Sequence, residues 1–157
     1  EGFVPIMSNA MNMALASLSS FYKGGRLNQG LITKSFQHFG NQVQLNIMDP
    51  DYLTQNLSGG NQQKVILAKW LATDVDILIF DEPTKGVDVG AKAEIYSLME
   101  DFVASGKSII MISSELPEVI GMSDRIIVLK EGRMSAEVSR EEFQEAVLLS
   151  HAMGEKL

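Results

Sequence analysis

The segment Asp76-Ile-Leu-Ile-Phe-Asp-Glu-Pro83 decides how the rest of the chain is read. Its apolar run, Ile77–Phe80, is bounded by charge, the pattern of a strand buried in a parallel sheet. Two adjacent carboxylates follow, Asp81 and Glu82. The C-terminal ends of strands are where open α/β sheets bind ligands. There Asp81 would hold Mg²⁺ through its water shell. Glu82, pointing elsewhere, could polarise an attacking water. The same residues also suit a strand that ends in a solvated turn, so the neighbouring segments must decide.

Upstream lies Leu57-Ser-Gly-Gly-Asn-Gln-Gln-Lys64, directly before an apolar-periodic helix pattern from Asn61 to Ala72. Glycines let backbone amides approach an anion, and a helix N-terminus adds unpaired N–H groups and a favourable dipole. The segment could grip a phosphate; read in isolation, it is a turn with Ser58 as helix cap. Downstream, a helix pattern covers roughly Val89 to Ala104, and Lys107 to Ser113 reads as a second buried strand. A short helix spans Glu115 to Met122, with Pro117 in its first turn and Ser113 or Ser114 as a candidate cap. Arg125–Lys130 and Met134–Val138 flank Glu131-Gly-Arg133, which predicts a hairpin. Ser139-Arg-Glu-Glu142 has the capping-box pattern and predicts a last helix to about Ala152. Strands alternating with helices give an α/β fold with a mainly parallel sheet.

One stretch imitates a nucleotide site. Asp101-Phe-Val-Ala-Ser-Gly-Lys-Ser108 ends like the phosphate-binding loop G-x-x-x-x-G-K-[ST], but carries Asp101 where the first glycine belongs. It joins a helix to a strand, the reverse of that loop, and would offer a phosphate the negative end of a helix dipole. It reads as a helix stop, with Gly106 at the C-cap and Lys107 near the last carbonyls.

Residues 1–56 differ in texture, being rich in Met, Asn, Gln and Ser. Ser8 is placed to cap a helix running to about Phe21, with Met11, Leu15 and Leu18 on one face, and Lys23-Gly-Gly25 breaks it. A second helix pattern runs from about Gly30 to Phe39, and Asp49-Pro50-Asp51 is a turn. No strand alternation is visible in this part, which reads as a small helical unit.

The chain has 157 residues, 45% of them hydrophobic and 21% charged, an ordinary globular balance. It has no cysteine, hence no disulfide or thiolate metal site. A net charge of −7 disfavours nonspecific binding to nucleic acid or to an anionic membrane. No apolar run approaches the length of a membrane span. His38 and His151 read as surface or packing residues.

In their order and spacing, Leu57–Lys64, Ile77–Glu82, Thr84–Asp88 and Ile112–Leu116 resemble the ATP-binding subunits of ABC transporters. They match in turn the signature motif, the Walker B strand with its catalytic glutamate, the D-loop and the switch-histidine loop. The resemblance covers essentially the whole chain. Asn61-Gln-Gln-Lys64, Ala68-Lys-Trp-Leu71, Gly86-Val-Asp-Val-Gly-Ala-Lys92, Ser113-Ser-Glu-Leu-Pro-Glu-Val119 and Gly121-Met-Ser-Asp-Arg125 are similar to the C-terminal ATPase half of bacterial ribose, galactose and xylose importers. Gly2-Phe-Val-Pro-Ile-Met-Ser8 looks like the segment shortly after the Q-loop of that half.

The resemblance implies an ATPase that uses ATP and Mg²⁺ and couples hydrolysis to sugar uptake. Ser58, Gly59, Gly60 and Asn61 would contact the γ-phosphate held by a second ATPase domain. Asp81 would place Mg²⁺, Glu82 would be the general base, and Asp88 would couple the two sites. Ser114, also expected at the nucleotide, stands where most members carry the switch histidine, and a hydroxyl neither carries an imidazolium's charge nor reaches as far toward a γ-phosphate. The expected domains are 1–56, most of the helical subdomain; 57–72, the signature and its helix; 73–139, the α/β core; and 140–157, a C-terminal helix. Expected partners are the second ATPase domain, transmembrane permease subunits and, indirectly, an extracytoplasmic sugar-binding protein, with no nucleic acid. The expected location is the cytoplasmic face of the inner membrane, as a peripheral subunit. No G-x-x-x-x-G-K-[ST] occurs in the sequence, which leads us to expect a C-terminal fragment that binds ATP weakly by itself. Related ATPases of DNA repair or translation, and a non-catalytic interaction fragment, remain open on the sequence.

Overall fold

The computed structural model of the chain describes residues 2–154. They form two compact units, one of residues 2–78 and 84–109, the other of residues 79–83 and 110–157 so far as described.

The first unit begins with helix α1, Asn9–Ala14, whose N-terminus is capped as expected: Ser8 Oγ accepts from the Met11 N–H. The helix is shorter than its sequence pattern. A 3-10 segment, Leu15–Phe21, takes over and departs from helical geometry at Ser17 (φ −120°, ψ 26°). Its buried face also differs from the expected Met11, Leu15 and Leu18. Asn9, Ala10, Asn12, Met13 and Ala14 are the residues that point inward. Asn12 is the centre of a buried polar network. Its Nδ2 donates to Val4 O (3.0 Å), Met7 O (3.3 Å) and Thr54 Oγ1 (2.8 Å). Its Oδ1 accepts from the Val4 N–H (2.7 Å), and Thr54 Oγ1 donates to Asn9 Oδ1 (2.9 Å).

Where the sequence shows only a break, the chain forms a tight hairpin of β1, Tyr22–Lys23, and β2, Arg26–Leu27. Gly24 and Gly25 both have positive φ, 60° and 79°, as a two-residue hairpin turn matched to strand twist requires. Strands of two residues carry no alternation to read. Helix α2, Gln29–Gln42, is capped by the Asn28 side chain and buries Ile32, Phe36 and Gly40. The Asp49 turn closes by a Tyr52 N–H to Asp49 O bond.

Helix α3, Gly59–Leu71, packs on α1 and α2 and buries Val65, Leu67 and Ala68. Lys64 is buried too. Its Nζ pairs with Glu94 at 2.6 Å and donates to the Gln44 carbonyl at 2.9 Å, so the charge is balanced and hydrogen-bonded. Lys69 donates to the Gly2 carbonyl and lies over the Trp70 ring; burial holds its ammonium below the ordinary lysine value.

Strand β3, Ile77–Asp81, pairs with β4, Ser108–Ile112. Ser108 N–H bonds to Asp76 O at 2.9 Å and Glu82 N–H to Ile112 O at 2.8 Å. Both partners advance together along the chain, so the pair is parallel. The strands are not buried on both faces as expected. Leu78 and Phe80 point inward, but Ile77 and Ile79 are 58% and 67% exposed, and Ile110 and Ile112 are each half exposed. Among the described residues, only one side of this pair is covered. Between the strands runs α4, Val89–Ala104, which contributes Ile95, Met99 and Phe102 to the core. It ends at Ser105, with Gly106 at φ 88° in the left-handed region, so the loop-like stretch before β4 is a helix stop. Gly106 thus falls one residue beyond the cap itself. The Lys107 ammonium pairs with Asp74 at 3.1 Å and lies over the ring of Phe102, in the last turn of α4.

In the second unit, α5, Leu116–Met122, precedes the antiparallel pair β5, Arg125–Lys130, and β6, Arg133–Ser139. Glu131 and Gly132, both at positive φ, form the turn. A register shift after Val128 leaves Ser135 as an extra residue, a bulge, and its Oγ bonds the His151 carbonyl. Ile126, Val128, Val138 and Leu148 make the core of this unit, flanked by Leu116, Val119, Ile120, Ala136 and Phe143. The capping-box residues open a 3-10 turn, Arg140–Glu142, and not the last helix. Phe143 turns extended and packs against the core, and α6, Glu145–Met153, starts after it.

Candidate functional site

The first unit carries the glycine segment. Ser58 is the N-cap residue of α3, but its hydroxyl caps no backbone N–H. It accepts instead from Asn61 Nδ2 at 2.9 Å, while Asn61 Oδ1 accepts from the Asn46 N–H at 3.2 Å. Ser58 and Gly59 are exposed. The start of α3 therefore presents a hydroxyl and backbone donors to solvent, which suits an anion.

The two glycines are there for different reasons. A Cβ on Gly60 would sit 2.8 Å from the Ala91 Cβ at the start of α4, so Gly60 allows α3 and α4 to approach. A Cβ on Gly59 would meet nothing closer than the Gly86 carbonyl at 3.8 Å. Gly60→Ala is expected to cost about 1–3 kcal/mol of stability by overpacking, whereas Gly59→Ala should be neutral or slightly stabilising. Unfolding midpoints check this; equal losses for both would contradict it. Gly59 therefore lies close to Gly86. Asp88 caps α4, its Oδ1 accepting from the Ala91 N–H at 3.0 Å, and remains exposed.

The second unit carries the carboxylates. Asp81 ends β3 with an exposed side chain. Glu82 is half-buried, and its backbone lies in the left-handed region, φ 50°. Its N–H is bonded to the Ile112 carbonyl. Its carboxylate reaches the end of β4: Ser114 N–H donates to Oε1 at 3.0 Å and Ser114 Oγ to Oε2 at 3.1 Å. The helix-capping role considered for Ser113 and Ser114 is not seen. Ser113 Oγ accepts from the Glu115 N–H, and the N-cap residue of α5 is Glu115, without a side-chain cap bond.

The donor set suits nucleotide and metal in part. An exposed Asp81 is the kind of single hard carboxylate that Mg²⁺ accepts when phosphates and waters supply its other ligands. No cluster of three or more His, Asp or Glu side chains able to hold a metal by themselves occurs among the described residues. A separate cleft of about 360 Å³ lies at the far end of α3, lined by His38, Phe39, Leu71, Phe102 and Lys107, and contains none of the expected site residues. His38 packs edge-on against Phe39 there, centroids 4.8 Å apart. No helix among the described residues is long and apolar enough to cross a membrane.

Sequence reasoning missed Lys64 and Asn12. Polar residues at helical spacing read as a solvated face, and only the fold brings their partners to them.

Residues 6–85 match the ABC transporter family profile, and the chain belongs to that family. It is 46% identical over 155 residues to the ribose import ATP-binding protein RbsA of Clostridium perfringens, covering 98% of this chain and 31% of that protein. It is likewise 46% identical over 156 residues to the RbsA protein of Streptococcus agalactiae, covering 99% of this chain and 32% of the relative. The chain thus spans about a third of the length of these relatives. Among solved structures, a dimeric ATP-binding cassette in a post-hydrolysis state with ADP and Pi matches its fold. The TM-score is 0.74 at 24% identity, over 88% of this chain and 59% of that one.

Proposed function

We propose that this chain is part of the ATPase subunit of a bacterial importer for ribose or a related monosaccharide, and that its residues serve two nucleotide sites. The observation that carries the proposal is the half-buried Glu82 held beside exposed Asp81 at the end of β3, in a chain nearly half identical to ribose import ATP-binding proteins.

At this half's own site, Glu82 accepts a proton from the water that attacks the γ-phosphate of ATP. Asp81 holds Mg²⁺, which, when bound, neutralises phosphate charge. Ser58, Gly59, Gly60 and Asn61 offer a hydroxyl, an amide and backbone N–H groups to the γ-phosphate of a second ATPase domain. Asp88, next to the signature segment and exposed, couples the two sites. Residues 1–56 form most of the helical subdomain that meets the permease subunits; residues 57–72, 73–139 and 140–157 supply the signature helix, the α/β core and the last helix. The subunit works peripherally on the cytoplasmic face of the membrane.

Ser58→Asp separates this reading from a purely structural one. Aspartate is a good N-cap and favours the helix dipole, so α3 should be as stable as before or more so. The same carboxylate repels a phosphate, so ATP hydrolysis and ribose uptake by the full-length subunit should fall at least about tenfold, which is about 1.4 kcal/mol. Full activity in this variant would show that no phosphate binds at Ser58.

A further inference from the structure

We propose that Ser114 is a positioning residue for Glu82, a two-donor clamp on its carboxylate, and that it makes no working contact with the nucleotide. The inference rests on Glu82 being the general base, as proposed above.

The geometry is specific. One residue supplies both donors, the N–H to Oε1 at 3.0 Å and the hydroxyl to Oε2 at 3.1 Å. Two bonds from a single residue fix both the place of the carboxylate and the rotation of its plane. The clamp is anchored in the sheet, because the Glu82 N–H is bonded to the Ile112 carbonyl, two residues before Ser114. Each carboxylate oxygen has two lone-pair sites and spends one on Ser114, so both can still receive a bond from water. The hydroxyl has one proton, and it is given to Glu82; in this arrangement Ser114 has no O–H left to donate to a phosphate. The neighbouring Ser113 hydroxyl accepts from the Glu115 N–H.

The test compares variants of the full-length subunit. Ser114→Ala removes one arm of the clamp and is expected to lower kcat about tenfold while leaving KM for ATP unchanged, and Ser114→Thr should restore kcat. In a Glu82→Gln background, Ser114→Ala should have no further effect, because its action runs through Glu82. A raised KM with kcat unchanged, an undiminished effect in the Glu82→Gln background, or no effect at all would each overturn the proposal. If Glu82→Gln alone hydrolyses ATP at the parent rate, the general-base reading fails, whatever Ser114 does. The contact also has a readout independent of turnover. The Ser114 amide proton should shift upfield in Glu82→Ala, and an unmoved resonance would show that the clamp is not formed in solution.

Discussion

Glutamine in place of Glu82 is expected to slow hydrolysis at this half's site by about 10²-fold or more while ATP binding survives. The substitution is nearly isosteric. The introduced amide side chain would still offer a carbonyl oxygen to Ser114, so the turn after β3 should keep its shape. What it loses is the capacity to take a proton from water. Binding should be spared because the phosphate contacts assigned here belong to other groups: Asp81 through Mg²⁺, and the signature segment of the facing domain. Turnover of the full-length subunit and its retained nucleotide should therefore move in opposite directions. If turnover is unchanged, hydrolysis takes place at another site and Glu82 is not the base.

A second large effect is expected far from any nucleotide. Asn12→Ala should destabilise the fold by about 3 kcal/mol, because it strands the Val4 N–H, leaves the Val4 carbonyl with the Met7 N–H alone, and takes a donor from Thr54 Oγ1. Asn9, Asn12 and Thr54 are fully buried, so water does not replace the bond lost at Thr54. For a chain of this size the melting temperature should drop by roughly 6–12 °C. Asn41→Ala is the control. Its side chain is exposed at the end of α2, and its effect should lie within about 0.5 kcal/mol. Thermal denaturation of both variants decides the matter, and similar small losses would show that the network contributes little.

Asn12 and Glu82 also mark what the sequence discloses and what it conceals. The order helix, strand, helix, strand from α3 to β4 was legible because each element has a strong local signal. Ile77–Phe80 is a clean apolar run, Val89–Ala104 has its glycine stop, and Glu131-Gly132 announces a hairpin. The adjacent carboxylates were legible as a strand end for the same reason. Long-range polar pairing was not. Asn12 meets Thr54 across 42 residues and Glu82 meets Ser114 across 32, and no periodicity reports such meetings. The resemblance placed Ser114 near the site but did not disclose its bonds to Glu82. The outward face of β3 and β4 misled in another way. Continuous apolar runs predict cover on both sides, and the described residues provide it on one.

The backbone of Glu82 gives the site a different meaning. A left-handed φ on a long, unbranched side chain runs against its intrinsic preference by about 1 kcal/mol, and glycine or asparagine would occupy the position more comfortably. At this position conformational ease and chemistry therefore select different residues. Substitutions that raise thermal stability at position 82 are expected to be the ones that silence the protein, so a screen for stability alone would converge on inactive forms.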